Sequence, residues 1–263
     1  MEPRARPIGT MSKSGVRRHR WPLRAYEDGG AYELIVVTDA ATREAALGFA
    51  HEVYVARGLA DRQSGASLLP CAAADEAVVL LVLGRGERPV ATLWVLPDGP
   101  RGLPCDATYG AEVAEIRGRG RRLVQFILLA ANVGDPVPWL AVRELVAFGW
   151  VVAQDVLGGT DAVIEVNPRH AGYYEQSAGF VVVGPERPCS RVRGAPAVLL
   201  RAPLAAAAVR GPMAGSWVAR ENPRIFFDEH ERRVAAAYAR RAVSPQERVR
   251  SVGSRRPTRY RPL

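Results

Sequence analysis

Cysteine is scarce in this sequence, and the three present are Cys71, Cys105 and Cys189. An odd, widely spaced set without a C-x-x-C pair argues against a disulfide framework or a structural zinc site. It fits a reducing cytoplasm. Histidine is nearly as rare, at four, and neither His19 nor His51 has neighbours in sequence that point to a metal. No stretch reaches the run of about 18 apolar residues that a membrane-spanning helix needs. No apolar segment follows Arg17-Arg18, so the arginine-rich start does not read as a secretory signal. Lysine is almost missing: Lys13 stands alone among 36 basic residues.

Apolar residues are abundant. They make up 48% of the 263 residues, which excludes a wholly disordered chain and suffices for one substantial core with tails. The net charge of +9 is unevenly spread. Residues 1–26 carry seven basic and one acidic side chain, residues 27–204 carry 16 and 21, and residues 205–263 carry 13 and 5. The reading is therefore a flexible basic arm over 1–26, a mildly acidic globular domain over 27–204, and a basic extension over 205–263. In that extension Asp228 to Arg241 has a helical pattern, acidic at its start and Arg240-Arg241 at its end.

Within the domain, Tyr32 to Thr38 is β-branched and reads as a strand, and Asp39 to Arg57 as a helix with Ala46, Phe49, Val53 and Tyr54 on one stripe, ended by Gly58. Arg62 to Pro70 is a polar loop. Glu76–Gly84 and Pro89–Leu96 flank Gly-Arg-Gly-Glu-Arg, the signature of a hairpin. A Pro/Gly-rich loop over 97–104 leads to a short helix from Tyr109 to Arg117, and Leu123 to Ala131 is a buried strand broken only by Gln125. After the turn 132–138, Trp139 to Leu157 is a nearly all-apolar helix whose polar residues Arg143, Glu144, Gln154 and Asp155 should form one exposed stripe. No repeat is evident.

The most informative stretch follows. Ala162 to Val166 reads as a buried strand, Asn167 as an N-cap and Pro168 as the first helical residue. The helix should end at about Ala178, before Gly179, with a strand from Phe180 to Val183. His170 and Tyr174 share a face of it. Pro196 to Leu200 is a last strand. Strands and helices in this order give an α+β fold, a mixed and mostly antiparallel sheet flanked by helices.

The Asn-Pro-Arg-His unit with its Gly179-Phe180 exit, Val53-Tyr-Val-Ala-Arg-Gly-Leu59, Ala91 to Asp98 and Gly194 to Leu200 resemble the GNAT superfamily. More narrowly, they resemble its N-acyl amino acid synthase branch, related to acyl-homoserine lactone synthases. The resemblance covers roughly residues 32–204. It implies transfer of an acyl group, long-chain in expectation, from a carrier-protein or CoA thioester to the amine of an amino acid or similar small molecule. The thioester is a co-substrate, and no permanently bound cofactor or metal is implied. An acyl carrier protein is the implied partner.

The resemblance also implies that strands 123–131 and 162–166 run parallel and splay apart around the acyl donor. It puts Tyr174 where the departing thiolate is protonated, although a tyrosine packing helix on sheet fits the same pattern. His170 would assist as a base or orient the acceptor, and Glu112 would be the nearby carboxylate; a capping or surface histidine and a solvated helix carboxylate are the alternative readings of the two. Arg169 would pair with a carboxylate or phosphate, while Asn167, Gln125 and Tyr54 complete the binding set.

Two departures stand out. The turn 132–138 carries Asp135, Pro136 and Pro138 where a CoA pyrophosphate would need bare N–H groups. Gln125 replaces a carboxylate that the family places in that strand, which would impair catalysis if that group is the base. Two other readings stay open: a catalytically weak acyl-binding protein, and a binder of nucleic acid or membrane surface through the tails. The tails lack the interleaved aromatics of a specific nucleic-acid reader.

Overall fold

The computed structural model describes residues 10–11, 17–18, 20–23, 32–62, 76–132 and 139–204. The polar loop over 63–70, most of the turn 132–138 and the expected helix 228–241 lie outside these residues.

Ten strands are described. β1 (Thr10–Met11) and β2 (Arg17–Arg18) form a small antiparallel pair. The other eight build one sheet: β3 (Arg20–Leu23), β4 (Tyr32–Val36), β5 (Val78–Leu83), β6 (Pro89–Pro97), β7 (Leu123–Ala131), β8 (Asp161–Val166), β9 (Val181–Cys189) and β10 (Ala195–Pro203). Their order is β3-β4-β5-β6-β7-β8-β10-β9. Every pairing is antiparallel except β7 with β8. The reason is connectivity: a parallel pair needs a crossover, and a helix lies between these two strands.

Among the described residues four α-helices cover the sheet: α1 (Ala40–Ala56), α2 (Asp106–Gly118), α3 (Trp139–Val151) and α4 (Pro168–Ala178). Strand alternation divides the core between the two faces. Ile35, Leu81, Trp94 and Val163 pack with α1 and α2, and Leu34, Leu80, Leu93 and Ile164 pack with α3. β5 is buried along its whole length, and each of its Val and Leu side chains contributes about 1.5–3 kcal/mol. Gly149 lets α3 sit close on the sheet, since a Cβ there would meet Leu93 Cδ2 at 2.6 Å.

Local signals explain the agreement with expectation around the 163–180 unit. Asn167 Oδ1 accepts from the Arg169 N–H at 3.2 Å, Pro168 starts the helix, and Gly179 ends it at φ +68°. Four expectations need correction. Arg20–Leu23, expected inside a flexible arm, pairs with β4 as an edge strand, where Pro22 is tolerated because one side of the strand has no ladder. β9 runs on to Cys189 through Pro185 and Pro188 for the same reason, being the other edge. α2 begins at Asp106, three residues early, with a first turn set off from the rest by a kink at Tyr109 (φ −128°, ψ 35°); the Asp106 carboxylate accepts the Leu103 N–H at 2.7 Å. The expected exposed stripe on the long helix fails at Glu144, which is buried, and at Arg143, which is half-buried. That helix changes to π geometry over Val152–Val156. The extra residue in a π turn breaks the eleven-residue return on which the stripe depended.

Candidate functional site

β7 and β8 are hydrogen-bonded neighbours only at Leu123↔Asp161, Val124↔Ala162 and Gln125↔Val163. Beyond Gln125 they part, although β7 continues to Ala131 and β8 to Val166. On its other side β7 slips register against β6 between Thr92 and Trp94, and Leu128 adopts φ +49°. A non-glycine residue held there marks a bulge that redirects the strand. The result is a cleft of about 600 Å³, lined from both faces of the sheet.

The α3/α4 side of the cleft presents an apolar wall of Phe126, Val142, Val146, Ile164 and Phe180, and it also brings in Arg143, Arg169 and His170. A chain of edge-to-face rings stiffens it: Phe126 to Trp150 at 5.8 Å, Trp150 to Phe180 at 5.6 Å, Phe180 to Tyr174 at 6.0 Å, and Tyr174 to Tyr173 at 5.2 Å. Such pairs add about 0.5–1.5 kcal/mol each beyond area burial, and they fix where the Tyr174 ring stands. Its hydroxyl bonds no described residue. Burial, with Tyr173 and Tyr54 near it, pushes it up to about 12, so the phenol stays protonated at neutral pH.

The α1/α2 side is polar. Gln125 is buried, and its Oε1 accepts the Cys105 N–H at 3.1 Å. That bond turns the amide so that Nε2 donates to Glu165 Oε2 at 3.2 Å. Arg191 donates to the same carboxylate and also to the Pro104 carbonyl. Tyr54, on α1, is raised to about 12 by burial, against the opposing pull of Arg57 and Arg191. Pro104 and Cys105 belong to a loop held by Arg117. Its guanidinium makes paired bonds to Asp98 at 2.6 and 2.8 Å and to Asp106 at 2.7 Å each.

Six of the seven site residues singled out from sequence line this cleft: Tyr54, Gln125, Asn167, Arg169, His170 and Tyr174. Glu112 does not. Its two oxygens accept from Arg187 at 2.9 and 2.6 Å, and that contact holds its carboxyl below the usual range despite partial burial. Burial, Arg169 and Arg57 all lower the His170 pKa and so favour its neutral form. Its Nε2 accepts from Arg169 Nε at 3.1 Å, which occupies the lone pair a base would use.

Glu165 escaped notice in the sequence because it sits inside a run read as buried apolar strand. The signal was there: one acidic residue among β-branched neighbours, two positions before the Asn-Pro unit. The cleft therefore holds a carboxylate after all, across the gap from Gln125. Among the described residues no group of three or more His, Cys, Asp or Glu side chains could hold a metal, and no helix is long and apolar enough to cross a membrane.

A family model described as N-acyl amino acid synthase FeeM matches residues 45–203. The solved structure of FeeM, an N-acyl amino acid synthase from uncultured soil microbes, superposes with a TM-score of 0.61 at 22% identity. The match covers 72% of this chain and 98% of that one. TofI, solved in a ternary complex with an inhibitor and MTA, gives 0.51 at 14% identity over 67% of this chain and 94% of its own. The CoA-dependent acyl-homoserine lactone synthase BjaI gives 0.45 at 15% identity, covering 62% and 77%. No curated protein matches the chain. At such identities FeeM and TofI speak for the fold, while the family match spans more than half of the sequence. The chain belongs to the FeeM family of N-acyl amino acid synthases, and it is an N-acyltransferase with a GNAT-like α+β fold.

Proposed function

We propose that this enzyme moves a long-chain acyl group from the pantetheine thioester of an acyl carrier protein to the α-amine of an amino acid. The observation that carries the reading is the cleft itself, which joins an apolar wall to a polar one at the parting of β7 and β8. An acyl chain suits the side of Phe126, Ile164 and Phe180. A zwitterionic acceptor suits the side where Arg57, Arg169 and Glu165 offer both signs of charge. Backbone groups of β7 beyond Gln125, left without a β8 ladder, are available to polarise the thioester carbonyl.

In this reading Tyr174 serves the departing sulfur. A phenol at about 12 is a weaker acid than a thiol at about 8.5. It therefore donates a hydrogen bond to the developing thiolate and relays a proton from the amine, and does not give up its own outright. Carrier over CoA rests on Asp135, Pro136 and Pro138, which remove donors and add a negative charge where a pyrophosphate would bind. One phosphate on a carrier asks less of that turn.

Gln125 favoured a second reading, an acyl-binding protein without turnover. Glu165 weakens it by returning a carboxylate to the cleft. The test compares dodecanoyl-CoA with dodecanoyl-carrier protein, each given a mixture of the twenty L-amino acids, with amides read by mass spectrometry. Saturable turnover with the carrier thioester is expected. Turnover with CoA alone overturns the donor, and no amide with any amino acid overturns the acceptor.

A further inference from the structure

We propose that Glu165 receives the acceptor amine and takes its first proton. The inference rests on the acyl-transfer reading above and assigns a residue to it. Among the described residues Glu165 is the only acidic side chain lining the cleft. It lies two residues beyond the last β7–β8 pair, where the strands have just separated. Its side chain is 6% exposed, so it meets the contents of the cleft with little competition from bulk water.

The decisive feature is how its two oxygens are used. A carboxylate offers about four acceptor sites. Gln125 Nε2 and Arg191 both donate to Oε2. Among the described residues Oε1 has only the Cys189 thiol, 4.0 Å away and a weak donor. The donors on Oε2 are themselves fixed, Gln125 by the Cys105 N–H and Arg191 by the Pro104 carbonyl. The carboxylate is therefore held in one orientation through one oxygen, while the other keeps room for an incoming N–H. A carboxylate kept only for its ion pair has no need of that spare oxygen.

The proton balance is simple. An ammonium acceptor loses two protons in becoming an amide. Glu165 Oε1 takes the first, and the freed lone pair forms the C–N bond to the thioester carbon while the C–O π pair moves to oxygen. When that pair returns, the C–S bond breaks. The second nitrogen proton ends on the sulfur, and Glu165 releases the first to solvent.

The test uses the full chain with dodecanoyl-carrier protein as donor and, as acceptor, the L-amino acid that the wild type acylates fastest. Glu165→Gln should lower kcat/KM for the acceptor by about 10²–10³, the scale of a positioned base, with KM for the thioester within about twofold of wild type. Glu165→Asp keeps the charge but withdraws the oxygen by one methylene, and should lose about tenfold. Thermal midpoints on the same preparations establish that both variants are folded, and if the Gln variant is not, Asp decides alone. Acceptor kcat/KM near wild type in either folded variant overturns the proposal. So does an equal rise in both KM values, the mark of a collapsed cleft. If the wild type itself forms no amide, the acyl-transfer reading fails, and that outcome is distinct from amide formed equally by wild type and Glu165→Gln.

Discussion

Asp161 and Glu165 stand on the same strand and the same face, at opposite ends of β8. Asp161 sits where the sheet is closed, paired with Leu123 of β7 on one side and Pro203 of β10 on the other. It is fully buried, and both its oxygens are used: Arg121 at 2.5 Å and Thr160 at 2.7 Å on Oδ2, Arg201 at 2.8 Å on Oδ1. Glu165 sits where the sheet is open, with one oxygen held and one spare. A buried charge is tolerated when its partners satisfy it, and Asp161 meets that condition with nothing left over. The contrast separates a carboxylate that ties strands together from one kept ready for a ligand.

Breaking the first of the pair should have the largest effect on folding. Asp161→Asn leaves Arg121 and Arg201 without their anion, which costs on the order of 3 kcal/mol in urea unfolding, because removing one member of a buried pair strands the other. Burial alone would raise the Asp161 pKa, but the bonds from Arg121, Thr160 and Arg201 outweigh it and the net shift is downward. A depressed folded-state value means that the stabilisation is present above the unfolded value of 3.8 and is lost as pH falls through the folded one. Wild-type stability should therefore drop on acidification below about pH 4. The Asn variant should show a shallower drop, and an identical pH slope would mean that the Asp161 cluster does not tie the strands.

How much of this was legible in the sequence depends on how local each signal is. The N-cap at Asn167, the proline after it and the glycine at 179 act within a few residues, so the α4 unit could be read directly. β7 came out at its observed bounds because an apolar run broken only by Gln125 is itself the cause of burial on both faces. Glu165 could not be assigned, since its meaning comes from Gln125 on a parallel neighbour and from Arg191 in a distant turn. The partner of Glu112 was hidden for the same reason: Arg187, which pairs with it, lies 75 residues away. The resemblance singled out residues that mostly line one cleft, and the hydrogen-bond partners within it distinguish them.

A second pair sharpens the same contrast with tyrosines. Both Tyr109 and Tyr174 are raised to about 12, chiefly by burial. The Tyr109 hydroxyl donates to the Ala197 carbonyl at 2.6 Å, whereas the Tyr174 hydroxyl has no described partner. Tyr174→Phe should lower the single-turnover acyl-transfer rate by about 10²-fold, as for loss of one aimed donor, and leave the thermal midpoint unchanged. Tyr109→Phe should do the reverse, costing about 1–3 kcal/mol of stability from the unpaired carbonyl, with the rate per folded molecule intact. If both variants lose rate, or both lose stability, partner count is not what divides the two tyrosines.

The smallest effect is expected at Glu112, and it tests whether the contrast extends beyond buried groups. Glu112 is a carboxylate beside the domain's acyl-transfer machinery in sequence, yet both its oxygens are taken by Arg187, which also donates to the Thr108 carbonyl at 2.9 Å and lies over the Tyr109 ring at 5.0 Å. The two partners are 18% and 37% exposed, so water replaces much of what the pair provides. Glu112→Gln keeps one acceptor for Arg187 and removes the charge. The thermal midpoint should move by no more than about 2 °C. Because the side chain does not line the cleft, kcat/KM for acceptor and donor should both stay within about twofold of wild type. A loss of tenfold or more in acceptor kcat/KM, with the midpoint unmoved, would return Glu112 to the chemistry. It would also show that a fully paired carboxylate can serve it, against the division drawn between Asp161 and Glu165.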